Sequence, residues 1–386
     1  MTPFSEDIYE EEQYTAPLGI IALAGAQELA KGIDRYLVDW YNKKVKDDAQ
    51  KRTTFIVGSK YPRFTSGDGK AVVSESVRGR DLFIICDVGN HGITYNLYGQ
   101  EHPMTPDEHY ADLKRVICAC NGKPASITVL MPMLYGGRQH KRNGRESLDC
   151  AMMLQELESM GVRDIITFDA HDPRVQNSVP LMGFDNFFPT YQILKALHRS
   201  FPKMKIDKEN LMIVSPDEGA MGRNIYYASV LGLDLGMFFK RRDYSQVVNG
   251  RNPIVAHEYI GADVAGKNVF VADDIIATGD SVLKLCKDLK EKGAKDIFLT
   301  ATFSLFTEGV EKFNVAYEEG LFTAVLSTNL TYRIPELKSC KWFVEADMSK
   351  YMAYIINNVH GNQSVSGLLE PHSKIKELLD RIEQGK

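Results

Sequence analysis

The chain is poor in the features that assign a protein quickly to a class. It has six cysteines in 386 residues, Cys86, Cys118, Cys120, Cys150, Cys286 and Cys340, with no C-x-x-C pair among them. That excludes a disulfide framework or a cysteine-rich metal module and leaves reduced packing residues, as expected of a cytoplasmic protein. No apolar run is long enough to span a bilayer: the longest, Leu18 to Ala26, is soon followed by Glu28 and Lys31. There is no excess of positive charge, since 46 Lys and Arg face 51 Asp and Glu for a net charge of −5. A global basic field for nucleic acid is therefore missing, and neither nucleic acid nor membrane is expected as a partner. The first fifteen residues include Glu6, Asp7, Glu10, Glu11 and Glu12 and lack the basic start and apolar centre of a signal or transit peptide. Residues 1–16 read as an acidic, mobile tail.

What is present is an ordinary globular composition, 44% hydrophobic and 25% charged, on a chain long enough for two domains. Short apolar runs alternate with segments of helical period. Gly19 to Leu23, Asp81 to Cys86, Ile127 to Met131, Asp164 to Phe168, Leu211 to Val214, Leu235 to Phe239, Val269 to Val271 and Ile297 to Thr300 read as strands. Ala26 to Trp40, Ser147 to Met160, Ala220 to Leu231 and Val282 to Lys292 read as helices. The alternation implies an α/β fold with mostly parallel sheets. Similar strand, loop and helix units in each half suggest duplication, with a boundary near Asp185 to Tyr191, and Glu101 to His109 reads as an inserted polar loop.

The segment Val269 to Ser281, V-F-V-A-D-D-I-I-A-T-G-D-S, carries the clearest chemistry. An apolar strand delivers Asp273 and Asp274 to the sheet edge where open α/β sheets bind ligands. Ala277, Thr278 and Gly279 are small enough for the backbone to approach an anion, and Asp280 or Ser281 can cap the helix that follows. N–H groups at that helix start suit a phosphate. The two acids would repel the phosphate unless they accept hydrogen bonds from vicinal hydroxyls or hold a divalent cation. A ribose 5-phosphate satisfies both halves, although an ordinary strand-to-helix turn with capping acids has the same outline.

Four other segments follow expected strands. Tyr135 to Arg145, Y-G-G-R-Q-H-K-R-N-G-R, combines cations and glycines suited to a polyphosphate, and Arg138 beside Gln139 can also reach a base edge; a solvated basic loop is the bland alternative. Phe168 to Asp172 brings Asp169, His171 and Asp172 together, a set that fits a metal or phosphate role. Val214 to Gly222 places Asp217 and Glu218 at a strand end, where they can equally cap a helix. In Phe239 to Asp243, three adjacent cations, Lys240, Arg241 and Arg242, fit either a basic arm closing on a transferred phosphate or a solvated strand end.

In this order the motifs resemble the ribose-phosphate pyrophosphokinase (phosphoribosyl pyrophosphate synthetase) family over roughly Leu18 to Leu369. The collinear series is R-F-T-S-G-D-G at Arg63 to Gly69, E-S-V-R-G-R-D at Glu75 to Asp81, G-R-Q at Gly137 to Gln139 and D-A-H-D at Asp169 to Asp172. It continues with S-P-D-E-G at Ser215 to Gly219, K-R-R at Lys240 to Arg242 and D-D-I-I-A-T-G-D-S at Asp273 to Ser281. The resemblance implies two tandem type I phosphoribosyltransferase-like domains: residues 17–186 on the ATP side, 187–345 on the ribose 5-phosphate side, and 346–386 returning to the first. It implies transfer of the diphosphoryl group of Mg-ATP to the C1 hydroxyl of ribose 5-phosphate, giving phosphoribosyl pyrophosphate and AMP.

The residue roles follow from the same resemblance. Arg138 and Gln139 would bind ATP, with Phe64 and Asp68 reaching the adenine from a neighbouring subunit. His171 and Asp217 would position Mg2+ and the phosphates. Asp273, Asp274, Ala277, Thr278, Gly279, Asp280 and Ser281 would hold ribose 5-phosphate, and Lys240, Arg242 and His171 would act in catalysis. Ser76, Arg78, Ser364 and Ser366 match a regulatory anion site for phosphate or ADP, and a homo-oligomer, hexameric or dimer-based, is implied. The chain departs from the family pattern at Lys70, His140, Ala277 and Asp280, positions that bear on base specificity, rate and regulation. A phosphoribosyltransferase that consumes phosphoribosyl pyrophosphate, or a weakly catalytic regulatory homologue, are the alternatives; the former has no need of Arg138 and Gln139, and the latter no need of Lys240 and Arg242.

Overall fold

A computed structural model describes residues 16–142, 144–242 and 254–384, and their side chains except at 240–242, 254–257 and 383. Residues 1–15 of the acidic tail, and from the expected basic arm Asp243 and the side chains of Lys240, Arg241 and Arg242, lie outside the described residues.

Short uninterrupted apolar runs suit strands covered on both faces, and the chain builds two sheets from them. In the first, Leu18–Ala22, Asp81–Ile85, Ser126–Leu130, Asp164–Phe168 and Gly183–Phe187 lie side by side in chain order, all parallel. Helices such as Pro106–Cys120 and Asp149–Ser159 form the crossovers, and Leu82, Ile84, Val129, Leu154 and Ile165 share one buried cluster. The second sheet has seven strands, in the spatial order Ile254–Gly261, Leu235–Arg242, Leu211–Ser215, Asn268–Ile276, Ile297–Ser304, Ala324–Thr328 and Phe343–Ala346. Only its edge pair, Leu235–Arg242 with Ile254–Gly261, is antiparallel.

The described chain divides into two compact units, one built on residues up to Pro189 with Asn329–Tyr332 and Asp347–Pro371, the other on Thr190–Thr328 and Arg333–Ala346 with the chain from His372 onward. The division near Pro189 stands three residues from the expected one. The C-terminal segment is shared between the units, where 346–386 was expected to return whole to the first. In the first unit the helix Ser349–His360 lies along Gln27–Lys44, with Trp40 and Tyr354 stacked at 4.7 Å. In the second, His372–Glu383 lies against Thr190–Ser200, where Ile375 and Leu378 join Ile193 and Leu197 in one cluster.

The expected loop Glu101 to His109 is ordered structure. Gln100–Pro103 pairs antiparallel with Thr94–Leu97, and Thr105 and Glu108 form a reciprocal capping box that starts the helix at Pro106. Polar composition hid the hairpin, while Thr105, Pro106 and Glu108 are the helix-start signal that marks its end.

Within the first unit, Asp87 anchors the returning segment Asn329–Tyr332. Its carboxylate accepts from Gly89 N at 3.0 Å, Thr331 Oγ1 at 2.9 Å and Tyr332 N at 2.9 Å. Burial outweighs these bonds and pushes its pKa up to about 7. The unfolded chain gives up this proton near ~4 and the folded chain only near about 7. The folded state therefore holds the extra proton in that window, and stability falls as pH rises through it, by at most ~4 kcal/mol. Denaturant unfolding followed by Trp40, with Trp342 reporting the other unit, should show the Trp40 transition weaker near pH ~8 than near pH ~5. Asp87→Asn should flatten that difference; an equal slope in the variant would assign it to other groups.

Candidate active site

The cradle in the second unit rests on a strand longer than its apolar run suggests. Asn268–Ile276 continues past Val271, with Asp273 in register with Ala301 and Ile276 with Ser304. Acids are poor strand formers, but the fully buried neighbour Ile297–Ser304 carries the ladder through them. Asp273 and Asp274 thus sit within the last stretch of strand rather than after it. Asp274 N donates to Asp273 Oδ1 at 2.9 Å and Ile275 N to Asp274 Oδ1 at 2.9 Å. Burial, and then the Asp274 charge, raise the pKa of Asp273, while Arg223 Nη1, 3.7 Å from Asp273 Oδ1, opposes the shift. Two adjacent carboxylates so placed gain from hydroxyl donors or a cation.

Beyond the strand, Thr307 N holds Ala277 O at 3.1 Å and the chain turns at Gly279, whose φ is +91°. The helix Asp280–Glu291 starts there with Gly279 at the cap position and no capping side chain. Neither Asp280 nor Ser281 caps it, contrary to expectation. Asp280 accepts from Thr278 Oγ1 at 3.0 Å and from Lys312 Nζ at 2.7 Å, and the Lys312 bond lowers its pKa. Asp280 N donates to Thr278 Oγ1 at 3.4 Å, which leaves the N–H groups of Ser281 and Val282 without a side-chain acceptor among the described residues, the arrangement that binds anions. Lys312 also offsets the extra negative charge at Asp280, one of the departures from the family pattern.

The turn at Asp217 stands at the end of a neighbouring strand. Ser215 Oγ donates to Asp217 O at 2.7 Å, and Ala220 N donates to Asp217 Oδ1 at 3.2 Å. Lys240 and Arg242 end the strand Leu235–Arg242, with Lys240 in register with His257; their side chains lie outside the described residues. Sequence reasoning missed Arg223 and Asn224, consecutive on the helix Met221–Leu231. The available signal was a polar pair in the first turn of a largely apolar helix.

In the first unit the basic loop is fastened at its base and open at its tip. Tyr135 stacks on Tyr110 at 4.6 Å and donates to Asp107 Oδ1 at 2.8 Å, while Gln139 N bonds Gly136 O at 2.8 Å. Arg138 and Gln139 are exposed beyond this turn. His140 lies with Nε2 3.5 Å from Asp172 Oδ2 and its ring 5.2 Å from that of His171. Desolvation lowers the His140 pKa, so its ring is neutral at pH 7. Arg174 holds Asp172 ionised, with a pKa of about 2. Asp169 turns the chain after the strand at a φ of +44°.

Phe64 is 58% exposed on a tight turn closed by Phe64 N to Asp68 O at 2.9 Å, and Ser66 Oγ holds Asp68 Oδ2 at 2.8 Å. The preceding Arg63 is pinned to Asp112 at 2.8 Å in a buried ion pair, and Tyr98 N of the hairpin bonds Thr65 O at 2.9 Å. The turn is braced while Phe64 projects. Ser76 and Arg78 lie just before the strand at Asp81, and Ser364 and Ser366, bonded Oγ to Oγ at 3.1 Å, follow the helix that ends at His360. An Asp81–His360 hydrogen bond of 2.7 Å draws these two loops to the same edge of the unit. Among the described residues no group of three or more His, Cys, Asp and Glu side chains is arranged to hold a metal, and no helix is long and apolar enough to cross a membrane.

Comparison with known families places the two units. The family model for the N-terminal domain of ribose phosphate pyrophosphokinase matches residues 18–161, and that for a phosphoribosyl transferase domain matches residues 192–312. The chain belongs to the ribose-phosphate pyrophosphokinase family. A ribose-phosphate pyrophosphokinase of Pasteurella multocida is 28% identical over 312 residues, covering 79% of this chain and 89% of its own. One from Chlorobaculum tepidum is 26% identical over 357 residues, covering 92% and 95%. The crystal structure of phosphoribosylpyrophosphate synthetase from Mycobacterium smegmatis superposes with a TM-score of 0.70 over 90% of this chain and 99% of that one, at 21% identity, which shows a shared fold. The expected fold, two tandem phosphoribosyltransferase-like domains with mostly parallel sheets, is borne out.

Proposed function

We propose that the chain is a ribose-phosphate diphosphokinase, which moves the diphosphoryl group of Mg-ATP to the C1 hydroxyl of ribose 5-phosphate. The C1 oxygen bonds to the β-phosphorus, the bond from that phosphorus to the α-phosphate bridging oxygen breaks, and AMP leaves; the C1 hydroxyl proton passes to solvent. The observation that carries this reading is the uncapped helix start behind Asp273 and Asp274, in a chain of this family. The backbone from Thr278 to Ser281 receives the 5-phosphate, and the two carboxylates accept the 2- and 3-hydroxyls, which supply the donors that the raised pKa of Asp273 favours.

Arg138 and Gln139 grip the triphosphate, and Phe64 with Asp68 flank the adenine from a neighbouring copy in a hexameric or dimer-based homo-oligomer. The braced turn that leaves Phe64 exposed supports the second role. Lys240 and Arg242 stabilise charge on the group in transfer. The oxygen donors of Asp217 fit Mg2+, which takes few protein ligands and keeps waters and substrate phosphates, and His171 orients phosphates. When bound, Mg2+ neutralises phosphate charge. Ser76, Arg78, Ser364 and Ser366, on loops drawn to one edge, form a regulatory site for phosphate or ADP. The protein works in the cytoplasm.

A coupled assay tests the reading: AMP should accumulate only when ATP, magnesium and ribose 5-phosphate are all present. No AMP with any nucleoside triphosphate, or AMP formed without the sugar phosphate, would defeat it.

A further inference from the structure

Asn224 is 0% exposed, on the first turn of the helix Met221–Leu231. Its Nδ2 donates to Ala272 O at 2.7 Å, and its Oδ1 accepts from Ala272 N at 3.1 Å. The ladder between Leu211–Ser215 and Asn268–Ile276 pairs Leu211, Met212 and Ile213 with Asn268, Val269 and Phe270, so it ends before Ala272. Ala272 is itself 0% exposed, and a buried backbone donor and acceptor left open there would be costly. The side-chain amide offers one donor and one acceptor in a plane, as a peptide group of an adjoining strand would. It continues the sheet by one residue, immediately before Asp273.

The same amide reaches the other strand-end acid. Nδ2 donates to Ala220 O at 2.8 Å and to Ser215 Oγ at 3.3 Å. Ser215 and Ala220 are the two residues that hold Asp217, through Ser215 Oγ to Asp217 O and Ala220 N to Asp217 Oδ1. The preceding residue, Arg223, stands 3.7 Å from Asp273. One helical turn therefore fastens both acidic turns at consecutive positions.

We infer that Asn224 is a positioning residue for the reaction: it fixes the Asp273–Asp274 pair and the Asp217 turn in a single geometry, so that the ribose hydroxyls meet carboxylates already in place. This rests on the reading of Asp273 and Asp274 as acceptors for ribose 5-phosphate. Asn224 has no need to touch the substrate, because its effect passes through the backbone of Ala272.

Steady-state kinetics of the full chain separate positioning from simple stability. Asn224→Asp has nearly the same shape and keeps an acceptor for Ala272 N, but sets an oxygen against Ala272 O and Ala220 O. It should raise KM for ribose 5-phosphate about 10-fold or more, and KM for ATP, felt only through the Asp217 turn that Ser215 and Ala220 still hold, by no more than about three-fold. Asn224→Ala, which removes both bonds, should do the same more strongly. A folded variant with both KM values unchanged, or both raised alike, would overturn the inference. Should neither variant fold, hydrogen exchange of the Ala272 amide in the unaltered protein decides: exchange as slow as at Ile213 supports the clamp, and exchange as fast as in surface turns overturns it. Lack of turnover in the unaltered protein would instead defeat the proposed reaction, whatever the exchange result.

Discussion

Replacing Lys240 with alanine should lower kcat by about 10³-fold while KM for ATP changes by no more than about three-fold. Diphosphoryl transfer leaves the protein little covalent chemistry to do, so its contribution is charge placed where charge develops. A lysine that meets the transferring group only near the transition state stabilises that state without helping the ground state bind, and its loss appears in kcat. Lys240 and Arg242 stand two residues apart at the end of one strand. Two cations acting on one group are not independent, and the double variant Lys240→Ala with Arg242→Ala should lose less than the product of the single losses. Loss of ATP affinity in proportion to turnover would make Lys240 a binding group and contradict the role.

Gly279→Ala should disable the ribose 5-phosphate cradle and weaken the second unit together. The backbone at Gly279 has a φ of +91°, which costs a residue with a Cβ about 1–2 kcal/mol. A Cβ there would also drive into the Phe313 ring. That ring cannot easily yield: Phe313 is fully buried and lies against Trp342 at 5.4 Å and Phe306 at 5.0 Å. Overpacking adds about 1–3 kcal/mol, for a total on the order of 2–5 kcal/mol. Unfolding followed at Trp342 should show that loss, and the displaced helix start should raise KM for ribose 5-phosphate by at least about 10-fold. A variant that binds the sugar phosphate normally would show that the phosphate sits elsewhere.

The fold was legible where burial and period agree. The runs at Asp81, Ser126, Asp164, Leu211 and Ile297 are covered on both faces, and their apolar continuity marks them as strands of parallel sheets. It was less legible where tertiary contacts override local preference. Asp273 to Ile276 stays extended because Ile297–Ser304 runs beside it, and the polar hairpin Thr94–Leu97 with Gln100–Pro103 offers no apolar alternation to read. The divided C-terminal segment is a matter of packing between distant elements, which no local pattern encodes. The order of motifs pointed to the parts of the candidate site, because phosphate and hydroxyl recognition demand particular residues at strand ends. The supports beneath were hidden: Asn224 looks like an ordinary helix residue until Ala272 is seen beyond the ladder, and the pairing of Lys312 with Asp280 spans 32 residues.

Phosphorus NMR of a mixture of enzyme, magnesium, ATP and ribose 5-phosphate tests the central claim most directly. The account predicts that the β- and γ-phosphorus signals of ATP disappear together, replaced by a coupled pair of a diphosphate esterified at a sugar C1, with AMP in equal amount. Formation of ADP with a sugar bisphosphate, or of free inorganic diphosphate from a C1-activated ribose and a base, would contradict it.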